Sequence, residues 1–447
     1  MTDIVIDPTL AELPKRSRSS SSRRTRRRDY VPGIAAAACL LLSFFLYGAT
    51  QSTSTLVVSG CIIVCALVSV GIAGPRHVTV GMLAGAVLIW LFAATGWAGR
   101  LDRAAPELAA LFAAGAVWVI GYVCARQRGA LDIAWTSLIW ASLTYCIWMF
   151  FSHLATGLTT LNAGADAPMS TVSASLLFGL FALIGSSRIL HVVKQMDAEA
   201  LSRSEMIDRL LRDGLGGLLL TGFALTCLIL AGSIVGVLLS ASVMLAHAWW
   251  DTRAIVNRNH RSTWVRWLGR FSPFIALALA GWGVAFSFLN DETVAAVAAA
   301  GETPRLARLT AYVHAIQSHL WFGHGLGSIE VVGATETTLA NALAMQAPGN
   351  AQNMFVHWLV EAGIVGGVAL LLVVGAMHIR IIRGFSAHKA PRTFLRLAIA
   401  TGGFMLLHGI ADSSLDLPSA VWLYALVLGA ACGVATGRRV KTQQQPI

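Results

Sequence analysis

Two arginines stand three residues apart in a stretch that holds few other basic residues. Arg305 and Arg308 follow Thr303-Pro304, a pair typical of a helix start, with threonine as N-cap and proline in the first turn. At about 100° per residue, both guanidinium groups share a helical face with Tyr312 and His319. Arginine binds phosphate oxygens through two parallel N–H bonds, so this face predicts an anion site. The spacing leaves one alternative open, an interfacial helix whose arginines contact lipid headgroups.

The neighbouring face of the same helix is apolar, which predicts an amphipathic helix lying on a membrane or over a cavity. Its members are Leu306, Leu309, Val313, Ile316 and Leu320. The helix is expected to end at Gly323-His324-Gly325-Leu326-Gly327, because three alternating glycines favour a sharp turn.

Polar residues also mark the start of the next apolar segment. Gln352 and Asn353 stand at its mouth, and Glu361 is expected about 13 Å farther along the helix, at 1.5 Å per residue. A carboxylate at that depth is costly and usually faces protein or water. His357 lies one turn earlier on the same face. The pattern fits either a polar site or a His–Glu pair that fixes packing, and Asn353 could instead cap the helix.

A further i, i+4 pair, His408 and Asp412, lies near the end of the following segment. Asp412 and Asp416 fit two roles equally well, contact with a substrate or capping of helix ends.

The elements that carry these residues are membrane helices. Of 447 residues, 56% are hydrophobic and only 12% are charged, and the mean hydropathy is +0.68. Soluble domains carry about 25% charged residues. The composition excludes a soluble enzyme and a disordered scaffold, and predicts an all-α polytopic bundle. We predict twelve spans, of which the sixth to eighth are short, near residues 33–49, 55–74, 78–98, 107–125, 133–153, 171–187, 214–231, 234–250, 272–289, 353–377, 396–413 and 418–436.

The basic residues predict the orientation of the bundle. With the arginine-rich tail 1–32 in the cytoplasm, 29 of the 33 lysines and arginines fall on the cytoplasmic side. This asymmetry places both termini inside and explains the charge of +11 without nucleic acid. The predicted organisation is a tail (1–32), nine helices (33–289), a periplasmic loop (290–352), three helices (353–436) and a second tail (437–447).

The seven cysteines all lie in apolar runs, so we expect neither a disulfide framework nor a zinc site. No set of residues has credible metal-ligand spacing, and we expect no cofactor.

Taken in order, these motifs resemble the O-antigen ligase/polymerase superfamily of bacterial membrane glycosyltransferases. The resemblance covers about 301–367 and rests on Pro304-Arg305 with Leu309, on the glycine turn 319–327, and on Gln352-Asn353 through Gly363. The stretch from His408 to Pro418 is similar to an ending found in exopolysaccharide polymerases. Residues 1–200 match in hydropathy alone.

Two departures bear on the predicted activity. Ligases of this family carry a histidine eleven residues before the glycine that is Gly363 here, and this chain has Gln352 instead. Members often carry Ser-Arg-Gly at the hairpin between the seventh and eighth helices, whereas Ser233 here is followed by Ile234. Both departures favour a polymerase over a ligase.

The resemblance implies a reaction at the periplasmic face of the bacterial inner membrane. A glycan on undecaprenyl diphosphate would be transferred to an acceptor glycan or to lipid A-core, with other polysaccharide-assembly membrane proteins as further partners. Arg305 would stabilise the leaving diphosphate. Gln352 would orient the acceptor hydroxyl, and His324 would replace the missing ligase histidine as base. The remaining substrate-binding candidates are Arg308, Asn353, His319, His357, Glu361 and Asp412.

Two other classes of function remain open at this point. A twelve-helix chain with both ends inside also suits a secondary transporter, for which Glu361 would be the polar residue within the membrane. A non-catalytic assembly partner fits the two departures.

Overall fold

The computed structural model describes residues 31–46, 52–73, 101–127, 129–156, 171–199, 203–259, 263–289, 304–342, 344–345, 351–387, 392–411 and 417–436. Within these ranges the chain forms fourteen helices and no strand. The first nine are α1 (Val31–Phe45), α2 (Ser52–Ala73), α3 (Leu101–Arg126), α4 (Ala130–Thr156), α5 (Thr171–Glu199), α6 (Arg203–Asp213), α7 (Leu215–Leu230), α8 (Ile234–Asn259) and α9 (Thr263–Leu289). The others are α10 (Pro304–Ser318), α11 (Ile329–Thr335), α12 (Met354–Ala387), α13 (Arg392–Ala411) and α14 (Pro418–Ala435).

Nine of these helices are long and apolar enough to cross a membrane, and α6 with α7 would make a tenth, bent by 67°. This confirms the predicted all-α membrane bundle. The first predicted span corresponds to α1, which is shorter, and the third, 78–98, lies outside the described residues.

Two of the predicted spans are longer than we expected. The sixth and eighth, predicted to be short, are the full-length apolar stretches Ser173–Met196 and Ile234–Arg253. The predicted spans were too short because both apolar stretches also include polar residues, such as Lys194 and Asp251, that pair with one another. The predicted tight hairpin between α7 and α8 is confirmed, with Gly232 at φ 74°.

The core of the bundle forms around α5 and α14, whose spans are 67% and 89% buried. In α5, Phe178 and Phe181 pack against Tyr145 of α4, and Phe181 also packs edge-on against Phe44 of α1. Helix α14 lies so close to α3 that a side chain on Gly429 would collide with the main chain of Trp118. Small residues at such crossings let membrane helices approach closely.

Helix α12 is not straight, because Gly363 has φ 64° and ψ −171° inside it. The ring of His378 in α12 lies against Gly402 of α13. Measured along each helix from this contact, Ala411 of α13 is about 13 Å away, whereas Met354 of α12 is about 36 Å away. Met354 nevertheless contacts Gly409. Residues 354–362 therefore fold back across the end of the bundle toward α13.

This end of the bundle, where α9 and α13 end and α10 begins, is called the site end below. The break comes after Glu361, so Glu361 still lies about 13 Å from Gln352 along the helix, within the segment that crosses the site end.

Candidate active site at the site end

Arg305 is the residue on which the elements of the site end converge. It is only 5% exposed, and its guanidinium group donates four hydrogen bonds to main-chain carbonyls of three other segments. Nη1 donates to Ser287 at 2.5 Å, and Nη2 donates to Gln352, Ile410 and Ala411 at 2.9–3.0 Å.

These acceptors explain why an arginine is buried here. The carbonyls of Ser287, Ile410 and Ala411 belong to the last turns of α9 and α13, which have no partner within their own helices. The negative ends of two helix dipoles also favour a cation at this position. The four carbonyl oxygens hold the guanidinium group in a fixed position.

Gln352 is the one residue other than glycine with a positive φ in the described part of the chain, at 50°. Its carbonyl accepts a bond from Arg305. A left-handed glutamine is strained, and such strain persists only where surrounding contacts hold it. The half-buried Gln352 is thus fixed beside the Arg305 guanidinium by main-chain geometry.

Asn353 caps α12. Its Oδ1 accepts the amides of Phe355 and Val356 at 3.0 and 3.1 Å, and its Nδ2 donates to the carbonyl of Ile410 at 3.2 Å. The capping role that the sequence left open is therefore present, together with a link to the end of α13. Contact between Asn353 and a substrate stays a prediction.

The glycine turn after α10 closes on the break in α12 through the main chain. In an unbroken helix, the amides of Ile364 and Val365 would bond to the carbonyls of Val360 and Glu361. The break separates these two pairs, and the turn supplies new partners for all four groups. His324 and Gly325 donate to Val360 and Glu361 at 2.8 and 2.9 Å, and Ile364 and Val365 donate to Leu320 and Trp321 at 2.9 and 3.1 Å.

This exchange of bonds explains why glycine recurs in both segments. Gly323, Gly325 and Gly327 all have positive φ, between 68° and 96°, which confirms the predicted sharp turn. A Cβ on Gly363 would lie 2.5 Å from the main-chain carbonyl of Trp321. The turn and the break thus form one structural unit.

The two histidines of the turn form a pair of rings. The centroids of His319 and His324 are 4.1 Å apart. Nε2 of His324 bonds to the carbonyl of Ala315 at 3.1 Å; because a carbonyl only accepts, Nε2 carries the proton and Nδ1 the lone pair. Burial lowers the pKa of His324 below the usual 6.5. His324 is therefore a neutral imidazole with a basic nitrogen at neutral pH.

His357 and Glu361 form the predicted i, i+4 pair, with Nε2 and Oε1 3.4 Å apart. Both residues are buried, at 7% and 2% exposed. Oε1 of Glu361 accepts no hydrogen bond within the described residues. Both residues belong to 354–362, the segment that crosses the site end.

Helix α10 turns its arginine face toward the protein. Arg308 donates from Nε and Nη2 to the carbonyl of Ala344, at 2.9 and 2.6 Å, and Tyr312 is fully buried. Leu306 and Val313, by contrast, are 50% and 44% exposed. The predicted amphipathic helix is present, with its polar face inward and much of its apolar face outward.

The predicted site residues thus fall into three neighbouring groups. The first is Arg305 with Gln352 and Asn353, the second is His319 with His324, and the third is His357 with Glu361. Arg308 lies one turn after Arg305 on the inner face of α10. Asp412, a predicted substrate-binding residue, lies outside the described residues.

Comparison with known protein families connects this geometry to a function. Residues 219–371 match the family model described as O-antigen ligase. Over these residues the chain resembles an O-antigen ligase domain. The match covers about a third of the chain, from within α7 to the middle of α12, and confirms the resemblance to the O-antigen ligase/polymerase superfamily. No curated protein matches the chain.

The matched segment contains the glycine turn, the break at Gly363 and Arg305 itself. The match to this family supports an enzyme that acts on glycans in a membrane. Two parts of the site end lie beyond the match, namely the carbonyls of Ile410 and Ala411. Sequence reasoning did not find these acceptors, because main-chain carbonyls at a helix end leave no side-chain signal.

Proposed function

We propose that the protein is a polysaccharide polymerase that transfers a glycan from undecaprenyl diphosphate to an acceptor glycan at the periplasmic face of the inner membrane. The observation that carries this proposal is the convergence of α9, α10, α12 and α13 on the buried guanidinium group of Arg305. A diphosphate leaving group gains negative charge as its bond to the sugar breaks. A fixed cation stabilises that charge without having to reorganise.

In the proposed reaction, an acceptor hydroxyl attacks the anomeric carbon while the bond between that carbon and the diphosphate oxygen breaks. The undecaprenyl diphosphate leaves with the bonding electrons. The hydroxyl proton passes to Nδ1 of His324, which carries the lone pair. Arg305 binds the diphosphate with help from Arg308, and the Gln352 carboxamide orients the acceptor.

The remaining polar residues would bind the sugar. His319 stands beside His324 and can hydrogen-bond a hydroxyl group next to the base. Asn353, His357 and Glu361 line the segment that crosses the site end, and Asp412 is assigned to the same role from its sequence position. No metal is assigned to the reaction, since the proposed charge stabilisation rests on arginine.

A ligase that transfers the glycan to lipid A-core is the second candidate, and the description of the matching family favours it. Gln352 favours the polymerase, because a carboxamide orients a hydroxyl but cannot accept its proton. The glycan profile of a deletion strain separates the two. Loss of long chains supports a polymerase, full-length chains left on the lipid carrier support a ligase, and an unchanged profile would contradict both.

A further inference from the structure

A second concentration of charge lies at the opposite end of the bundle. Along α13, Thr393 is about 27 Å from Ala411, so this region is separate from the site end. Here the carboxylate of Asp251, whose side chain is fully buried, receives hydrogen bonds from Lys194 and Arg396, each at 2.5 Å. Lys194 also donates to the Thr393 hydroxyl at 3.3 Å. Two cations share one carboxylate, so the cluster carries excess positive charge.

A small, partly open cleft adjoins this cluster and shares Thr393 with it. Its six lining residues within the described part of the chain include no acidic side chain. Arg188, His191, Ser187 and Thr393 supply polar groups, and the aromatic rings of Trp135 and Phe394, which pack edge-on 4.9 Å apart, complete the wall.

The donors of this cleft are only partly used by the protein. Arg188 donates from Nε to the carbonyl of Asp213 at 3.0 Å, and within the described residues its guanidinium makes no other hydrogen bond or ion pair. The amide nitrogen of Gln195 lies 3.1 Å from Nε2 of His191. An amide nitrogen only donates, so Nε2 accepts and Nδ1 of His191 carries the proton.

The geometry points to a phosphate-binding site in this cleft, with Arg188 as the main ligand and His191, Ser187 and Thr393 as further donors. Arginine presents paired N–H groups that match phosphate oxygens, and the neighbouring Lys194–Asp251–Arg396 cluster adds positive potential. Either the headgroup of a phospholipid or a soluble phosphate offers this chemistry. The site is independent of the function proposed for the site end.

Binding can be measured on the full-length protein purified in detergent, with two probes. Inorganic phosphate is titrated with chloride as the reference, and phosphatidylglycerol is followed by native mass spectrometry with phosphatidylcholine as the reference. The variant Arg188→Gln keeps a polar side chain but loses the charge. Arg383→Gln, an exposed arginine of α12 at the same end of the bundle, is the matched control.

We expect saturable binding of at least one probe to the wild type and to Arg383→Gln, and a loss of at least about tenfold in Arg188→Gln. The probe that binds identifies the source of the phosphate. Equal binding by Arg188→Gln and wild type, or no saturable binding of either probe, would overturn the assignment. If Arg188→Gln does not elute as a folded protein, His191→Gln decides in the same way, because this histidine bonds only to Gln195 among the described residues.

Discussion

At the scale of single residues, Arg305 combines two tasks that are usually separate. It satisfies the carbonyls at the ends of α9 and α13, and its charge is what the proposed reaction requires. Arg305→Ala is therefore expected to lower stability as well as to abolish glycan transfer. Arg305→Lys should rescue neither property fully, because one ammonium group cannot reach acceptors on three segments.

The control for this prediction is Arg308→Ala, which among the described residues removes the hydrogen bonds to the carbonyl of Ala344. We expect a smaller loss of melting temperature for this variant than for Arg305→Ala. Thermal unfolding in detergent and transfer assays on matched amounts of protein give both quantities. Wild-type activity in Arg305→Ala would refute the assigned role.

Gln352 offers a substitution that removes the side chain and relaxes the main chain at once. Glycine adopts φ 50° without strain, so Gln352→Gly should keep the bond from Arg305 to its carbonyl and match or exceed wild-type stability by up to about 1 kcal/mol. If the carboxamide orients the acceptor, transfer should fall sharply in this stable variant. Normal transfer by Gln352→Gly would leave the side chain without a catalytic role.

Asn353 can be compared with Gln352, because the structure shows that Asn353 has a structural role as the cap of α12. Asn353→Ala should lose about 1 kcal/mol of stability. Asn353→Asp keeps the capping acceptor, so it should retain abundance. Transfer that is lost in Asn353→Asp, in spite of normal abundance, would indicate a role beyond the cap.

Protonation of His324 should set the acidic limb of the pH–activity profile. A base must be neutral to accept a proton, and burial lowers the pKa of His324 from 6.5. Activity should therefore persist below pH 6.5 and fall only as the pH drops through the lowered pKa. The same shift makes the fold less stable at acidic pH, since the unfolded chain then binds the proton more tightly.

Replacing His324 with glutamine should remove this limb together with most of the activity. The exposed His314, which pairs with Glu336, is the control, and His314→Gln should leave the profile unchanged. A profile that keeps its acidic limb in His324→Gln would assign the base to another residue.

At the scale of the elements, the position of the site depends on the contact between the glycine turn and the broken helix α12. Gly363→Ala would place a side chain 2.5 Å from the Trp321 carbonyl, at a φ and ψ that glycine alone tolerates. We expect a loss of about 3 kcal/mol or more, with loss of activity, because residues 354–362 could no longer fold back toward α13.

Gly375 is the matched control on the same helix, since a side chain there would meet open space. Gly375→Ala should be neutral, or stabilising by up to about 1 kcal/mol. Thermal unfolding of the two variants measures the difference. Equal stability of Gly363→Ala and Gly375→Ala would show that the break is not required.

Much of this arrangement could be predicted from the sequence, but the break in α12 could not. Hydropathy located the helices, and glycine spacing located the turn before Gly327 and the hairpin at Gly232. Nothing in the pattern from Gln352 to Gly367 shows that Gly363 interrupts the helix. The interruption depends on main-chain groups of the glycine turn, about 40 residues earlier in the chain. Such contacts between distant segments have no periodic signature.

At the scale of the whole molecule, the remaining prediction is the orientation of the bundle in the membrane. The distribution of 29 of the 33 basic residues predicts that the site end faces the periplasm and the opposite end faces the cytoplasm. Two exposed positions test it, Ala340 after α11 and Ser204 in α6. In a chain whose seven native cysteines are replaced, Ala340→Cys should react with an impermeant maleimide in intact spheroplasts. Ser204→Cys should react only after permeabilisation, and the reverse pattern would move the proposed transfer to the cytoplasmic face.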